Sequence, residues 1–154
     1  RIEIGRWLRD NVPDETLIAV IAAGAIPFES GLRTIDMVGL NDEYIAHRDL
    51  DVGLLPAGHE KYDSEYVLDR RPDIIILADF LTDYPFDEGA YSSLGGTLIA
   101  ARADLLSRPR LWAEYEARSV QIEEGRWFNM LVRRQPVAVR ASAASLPPAP
   151  PRSP

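Results

Sequence analysis

The chain has 154 residues, with 24 acidic and 17 basic side chains, a formal net charge of −7 and no cysteine. That length supports one ordinary core plus a tail, and the acidic balance speaks against a phosphate-backbone binder, so nucleic acid is not an expected partner. Without cysteine there is no disulfide, thiolate nucleophile or Cys-based zinc site.

In chain order, Ile4, Trp7 and Leu8 fall at i, i+3 and i+4 and predict a short amphipathic helix, ended by residues 11–14. Residues 16–22 form a continuous apolar run expected of a strand covered on both faces. Gly24 then releases the chain into a short helix containing Ala25, Ile26 and Phe28, which Gly31 terminates. Residues 34–38 read as the second strand. Asn41 or Asp42 caps a helical turn through Ile45 and Ala46, and residues 47–61, with scattered Gly and Pro, read as an irregular loop. Asp63 or Ser64 caps a helix carrying Tyr66, Val67 and Arg70 ahead of Pro72, and residues 73–77 form the third buried strand.

Residues 82–96 are rich in Asp, Tyr, Ser and Gly and read as a surface loop. Ser107-Arg108-Pro109 opens a helix through Leu111, Trp112 and Tyr115. Val120 and Ile122 alternate with polar neighbours, Glu124-Gly125 turns, and Phe128, Met130 and Val132 alternate on the return, which predicts a hairpin at the sheet edge. The expected fold is a small three-layer α/β domain over residues 1–135, with parallel core strands, flanking helices and a C-terminal antiparallel hairpin. Residues 136–154, rich in Ala, Ser and Pro, are expected to form a disordered tail.

No complete catalytic motif is present. Gly24 with Asp36 invites a dinucleotide or S-adenosylmethionine reading. Yet one glycine stands where G-x-G-x-x-G is expected, and the acid follows it by about twelve residues, short of the roughly twenty that the fingerprint's crossover helix and second strand require. Ser30 lacks the first glycine of a nucleophile elbow. Trp112, Tyr115, Trp127 and Phe128 offer a sugar-stacking platform, against which Trp112 and Tyr115, three apart on a helix, read as core. The polar residues near the carboxyl ends of the first two strands, or in the loop after them, are Asp36, Asn41, Asp42, His47, His59, Glu60 and Lys61. Ligands of open α/β sheets gather at that edge. The histidines are twelve apart on a loop, without metal-ligand spacing, so no metal is expected, and caps or loop anchors are the competing roles.

A resemblance adds to this. Gly5-Arg6-Trp7-Leu8-Arg9 with Asn11-Val12-Pro13, then residues 23–32, Ile35-Asp36-Met37-Val38-Gly39-Leu40-Asn41-Asp42 with Ile45-Ala46, Gly58-His59-Glu60-Lys61 and Arg71-Pro72-Asp73-Ile74-Ile75-Ile76-Leu77 resemble the soluble C-terminal domain of bacterial polytopic membrane glycosyltransferases. The likeness is to arabinofuranosyl- and mannosyltransferase-like proteins of the GT-C architecture, and it covers roughly residues 1–80.

The resemblance implies an extracytoplasmic domain above a membrane part that uses a polyprenyl-phosphate sugar donor and holds the catalytic aspartate. No catalytic residue carries over, and no cofactor is implied here. Asp36, Asn41, Asp42, His47, His59, Glu60 and Lys61 carry over as structural or acceptor-side residues. The implied partners are the membrane domain of the same chain and a glycan or lipid-linked acceptor in cell-envelope assembly.

The longest apolar run, residues 17–26, is about half the ~20 residues of a membrane-spanning helix. With Arg1 in place of an initiator methionine, the sequence predicts a domain excised from a longer protein. The alternatives are a soluble nucleotide- or S-adenosylmethionine-dependent enzyme and a non-catalytic docking module.

Overall fold

The computed structural model describes residues 1–50, 53, 57–94 and 99–134. Its elements are α1 (Ile2–Asn11), β1 (Leu17–Val20), α2 (Ala25–Ser30), β2 (Arg33–Asp36), α3 (Glu43–Ala46), α4 (Ser64–Asp69), β3 (Ile74–Ile76), α5 (Glu88–Leu94), α6 (Ala100–Leu106), α7 (Pro109–Glu114), β4 (Tyr115–Glu123) and β5 (Arg126–Arg133). One five-stranded sheet runs in the order β2-β1-β3-β5-β4. β1 pairs in parallel with β2 and β3, and the β4–β5 hairpin joins antiparallel through β5 against β3. The expected parallel core and hairpin are therefore both present, with β4 forming the edge.

Strand alternation divides the core between two faces. Ala19, Ile35, Ile75 and Leu131 face a layer built from Ile45, Val67, Leu68, Tyr91, Ala101, Leu105 and Leu111, supplied by α3 to α7. Ile18, Val20, Ile74, Ile76, Phe128, Met130 and Val132 face the other layer, where Ile4 and Leu8 of α1 and Ile26 of α2 pack. This double cover explains why β1 and β3 read as unbroken apolar runs. Each isoleucine of β3 is fully buried, so truncating any of them costs about 2–5 kcal/mol.

At the amino edge of the sheet, Asp73 joins three strands. Its N–H donates to the Leu17 carbonyl at 2.8 Å, its Oδ2 accepts the Leu17 N–H at 2.9 Å, and its Oδ1 pairs with Arg133.

Two expectations are corrected. Residues 82–96 are not simply a loop: they contain α5, whose Tyr91 is fully buried. Its apolar anchors, Tyr91 and Leu94, are too few over seven positions to establish a helical period, and tertiary packing makes it helical. The helix opened by Pro109 stops at Glu114; Tyr115 instead begins β4, five residues before the strand pattern becomes visible at Val120. α6 was not anticipated, although Ala101 and Leu105 stand four apart. Residues 95 and 96 and the expected tail, 136–154, lie outside the described residues.

α1 approaches α2 closely at Gly5. A Cβ there would lie 2.6 Å from the Glu29 Cβ and 2.9 Å from the Ile26 carbonyl oxygen. Gly5→Ala therefore forces the helices apart, and we expect a loss of about 2 kcal/mol by urea denaturation despite the higher helix propensity of alanine.

Burial pushes the Tyr91 phenol well above its ordinary value near 10, and its hydroxyl finds no hydrogen-bond partner among the described residues. A raised folded-state value means that stability is intact below pH 10. Above it, the unfolded phenol ionises first and stability falls. Tyr91→Phe is expected to flatten that alkaline decline and to leave stability at pH 7 unchanged or raised by about 1 kcal/mol, measured by denaturation at pH 7 and at pH 10.5 to 11.5.

Candidate functional site

The chain leaves β1 toward the layer containing α2, whereas it leaves β2 and β3 toward the opposite layer. Loops that diverge from neighbouring parallel strands open a crevice at their carboxyl ends. A cleft of about 610 Å³ lies there, lined by Ala23, Gly24, Ala25, Pro27, Phe28, Thr34, Asp36 and Asn41. Thr34 and Asp36 share one face of β2, opposite Ile18 and Val20 of β1 in the parallel register. α2 is only six residues long, and β2 is an edge strand. The polar face of β2 thus borders the opening.

Asp36 is 3% exposed. Its Oδ1 accepts the Val38 N–H at 3.0 Å and its Oδ2 the Asn41 N–H at 2.7 Å, so the carboxylate folds the segment that follows it back on itself. Gly39 completes the turn with φ +79°, and a Cβ there would meet the Ala46 nitrogen at 2.8 Å. Only glycine satisfies both conditions. Asn41 is exposed, and its carboxamide makes no hydrogen bond among the described residues while its backbone is held by Asp36.

Asp42 is turned to structural work. Its Oδ1 accepts the Ile45 N–H at 3.1 Å as the α3 cap, and its Oδ2 accepts the Tyr66 hydroxyl at 3.2 Å. Tyr44 of α3 stacks on Tyr66 of α4 with centroids 4.2 Å apart and rings 20° from parallel. Arg70 donates to the Tyr66 hydroxyl at 2.6 Å. Burial first, and then the Asp42 charge, raise the Tyr66 phenol above its ordinary value. Asp42 therefore clamps α3 to α4.

His47 is exposed at the end of α3, its Nδ1 2.8 Å from the Glu43 carbonyl oxygen; since a carbonyl only accepts, that nitrogen carries the proton. Glu60 accepts the Gly53 N–H, Lys61 donates to the Arg48 carbonyl, and the His59 carbonyl accepts the Ala100 N–H at 3.4 Å. These three residues fasten the long loop. Gly58 beside them lies against the Leu40 side chain. Of the seven polar residues singled out in the sequence, only Asp36 and Asn41 line the cleft.

The proposed aromatic platform is dispersed. Trp112 and Tyr115 pack in one core layer and Phe128 in the other, where Trp7 meets it edge-on at 5.6 Å. The aromatic ring at the cleft is Phe28, 86% exposed. Its signal lay in spacing: Ile26 and Phe28 are two apart on a helix, so both cannot face the core. A further residue at this edge, Asp79 after β3, is buried and pairs with Arg1; burial lowers the pKa of the buried Arg102, and the Asp79 charge opposes that shift.

At the opposite edge a groove of about 310 Å³ is lined by Arg71, Arg110, Ala113, Glu114, Arg133 and Arg134. Arg110 binds Glu114 and Asp69, each at 2.6 Å, Arg133 binds Asp73, and Arg134 lies 3.7 Å from Glu116. Three of the four lining arginines, Arg110, Arg133 and Arg134, are matched by acids, and these pairs hold helix to sheet.

Fold and cleft together define a three-layer α/β domain with a ligand-sized crevice at the carboxyl edge of its parallel strands. The chain belongs to the family described as Domain of unknown function (DUF8728), whose model matches residues 1–139. No curated protein and no solved structure matches it.

Replacing Asp36 by alanine unpairs the Val38 and Asn41 amides. The expected loss is about 3 kcal/mol, read by chemical denaturation, with accelerated amide hydrogen exchange at residues 37–42.

Proposed function

We propose that this chain is the extracytoplasmic accessory domain of a membrane glycosyltransferase whose membrane part uses a polyprenyl-phosphate sugar donor, and that it helps position the acceptor during cell-envelope glycan assembly. Bond formation belongs to the membrane part of the parent chain in this reading. The observation that carries it is the composition of the cleft: an exposed phenyl ring, a threonine hydroxyl and an exposed carboxamide around a small-residue floor. Sugar rings present apolar C–H faces and hydroxyl edges, and such a lining offers a partner to each. The segments that carry the sequence resemblance also build this place, residues 23–32 forming the α2 wall and residues 35–42 the turn beside it.

The nucleotide alternative has less support, because the Asp36 carboxylate is committed to its own loop. A docking module is favoured by one observation: Leu40, Phe80 and Tyr84, all in segments following carboxyl ends of the parallel strands, are exposed. Among the described residues no helix is long and apolar enough to cross a membrane, so the reading requires spans elsewhere in the parent.

The deciding experiment is on the parent. Its reading frame on the amino-terminal side should encode several apolar spans of about twenty residues, with an acidic residue in the first outward loop; a short soluble leader there overturns the proposal. In the parent enzyme, Phe28→Ala should raise the acceptor KM with little change in kcat. An unchanged KM together with loss of membrane-domain association in a Leu40→Ser, Phe80→Ser double variant would favour docking instead.

A further inference from the structure

The geometry points to the α2–β2 cleft as a subsite for one uncharged, hydroxyl-rich sugar ring of an acceptor glycan, with Phe28 as its stacking face, Gly24 as its floor and the Asn41 carboxamide as its hydroxyl reader. The inference rests on the acceptor reading above and deepens it.

Gly24 is the first argument. Its φ of −110° is paired with a ψ of −105°, outside both the α and the β regions, and a Cβ built on it would meet nothing within 4 Å. The backbone conformation itself favours glycine there, while the protein's own packing leaves the position open, in contrast with Gly5 and Gly39, where neighbouring atoms fill it. What an added methyl would occupy is the space of the cleft that Gly24 lines.

Phe28 is the second. A phenyl ring left 86% exposed on a short helix contributes nothing to the core through its face, while a sugar C–H face laid on it removes apolar area from water on both partners. The third is Asn41. Its backbone N–H is fixed at 2.7 Å by a carboxylate that is itself buried, while its carboxamide has no hydrogen bond among the described residues. A donor and an acceptor are thus presented at the rim from an ordered backbone, which lowers the ordering cost of binding.

Charge decides between ligand classes. No lysine or arginine is among the lining residues, and Asp36 contributes a carboxylate. A pyrophosphate or a lipid phosphate would enter without a counter-charge and against a like charge, whereas a neutral polyol meets neither penalty. The cleft therefore takes the acceptor's sugar and excludes the phosphate of the donor.

The test is an amide-resolved NMR titration of the 154-residue chain with neutral arabinofuranosyl and mannosyl di- to tetrasaccharides, and with a nucleoside diphosphate and a short polyprenyl phosphate as charged comparators. Gly24→Ala, Phe28→Ala and Asn41→Ala are titrated in parallel. The expected result is saturable shifts at Ala23, Gly24, Thr34 and Asn41 with a neutral glycan only. Phe28→Ala should weaken binding by about tenfold or more, with a melting temperature close to that of the unsubstituted chain, since it removes no core contact, and Gly24→Ala should weaken binding as well. Neutral-glycan shifts confined to a different surface overturn the subsite and leave the acceptor reading standing. Shifts in the cleft with the nucleoside diphosphate or polyprenyl phosphate overturn the charge argument. No shift with any neutral glycan at millimolar concentration overturns the subsite as well, while the hydropathy of the parent reading frame decides the wider reading independently.

Discussion

The carboxyl edge of this domain depends on one buried carboxylate. Asp36 ends β2 with both oxygens occupied by amides of the segment just after it, 3.0 and 2.7 Å away. Because two bonds converge on a single side chain, the turn has little freedom, and the positions that follow inherit their places from it. Gly39 is pressed against the α3 backbone, Asn41 is set at the rim, and Asp42 is delivered to the start of α3. Asp42 then passes the constraint on by holding Tyr66 and so α4. A charged group nearly removed from water survives here because hydrogen bonds replace its hydration.

The two edges of the sheet use their polar groups differently. At the amino edge, charges are consumed internally: Asp73 ties β1, β3 and β5 together, Arg110 and Arg133 are bound to acids, and the Tyr115 hydroxyl donates to the Pro72 carbonyl at 2.8 Å. The loop after β3 is similarly closed. Asn129, fully buried, donates to the Thr82 hydroxyl at 2.6 Å and accepts the Phe86 amide at 2.8 Å and the Ser119 hydroxyl at 2.6 Å. Such satisfied networks fix geometry. Among the described residues, the β1–β2 crevice sets an unspent carboxamide, Asn41, and an uncovered aromatic ring, Phe28, in one lining, and that contrast distinguishes a ligand cleft from the arginine groove.

Much of the fold was legible because its signals are local. The apolar runs of β1 and β3, the cap positions of Asp42 and Asp63, and Gly31 at the end of α2 each depend on residues within a turn of one another. α5 was not legible, since it is made helical by Tyr91 reaching a core assembled from distant segments. The site was half legible. The carboxyl edge could be expected from strand order, and Asp36 and Asn41 with it, but the roles of Asp42, Glu60 and Lys61 as clamps appear only once α4 and the long loop are in place. Phe28 was placed on the short helix without a site role; only the helical angle separates it from Ile26, two positions earlier, which occupies the buried side.

The width of the cleft has its origin away from the ligand-facing residues. α1 lies toward the β5 side of its layer, where Trp7 touches Phe128, and α2 lies between α1 and the β2 edge. The lateral position of α2 is therefore set by how closely α1 allows it to approach. Gly5 permits contact at backbone distance, with Glu29 and the Ile26 carbonyl filling the space a side chain would take, and the Arg6–Glu29 pair at 3.1 Å spans the same crossing. Any side chain at position 5 drives α2 toward β2 and into the opening that Thr34 and Asp36 border. A glycine in the first helix and a carboxylate at the end of the second strand thus hold opposite walls of the same crevice, which gives a physical reason for the two to occur together in a chain of this fold.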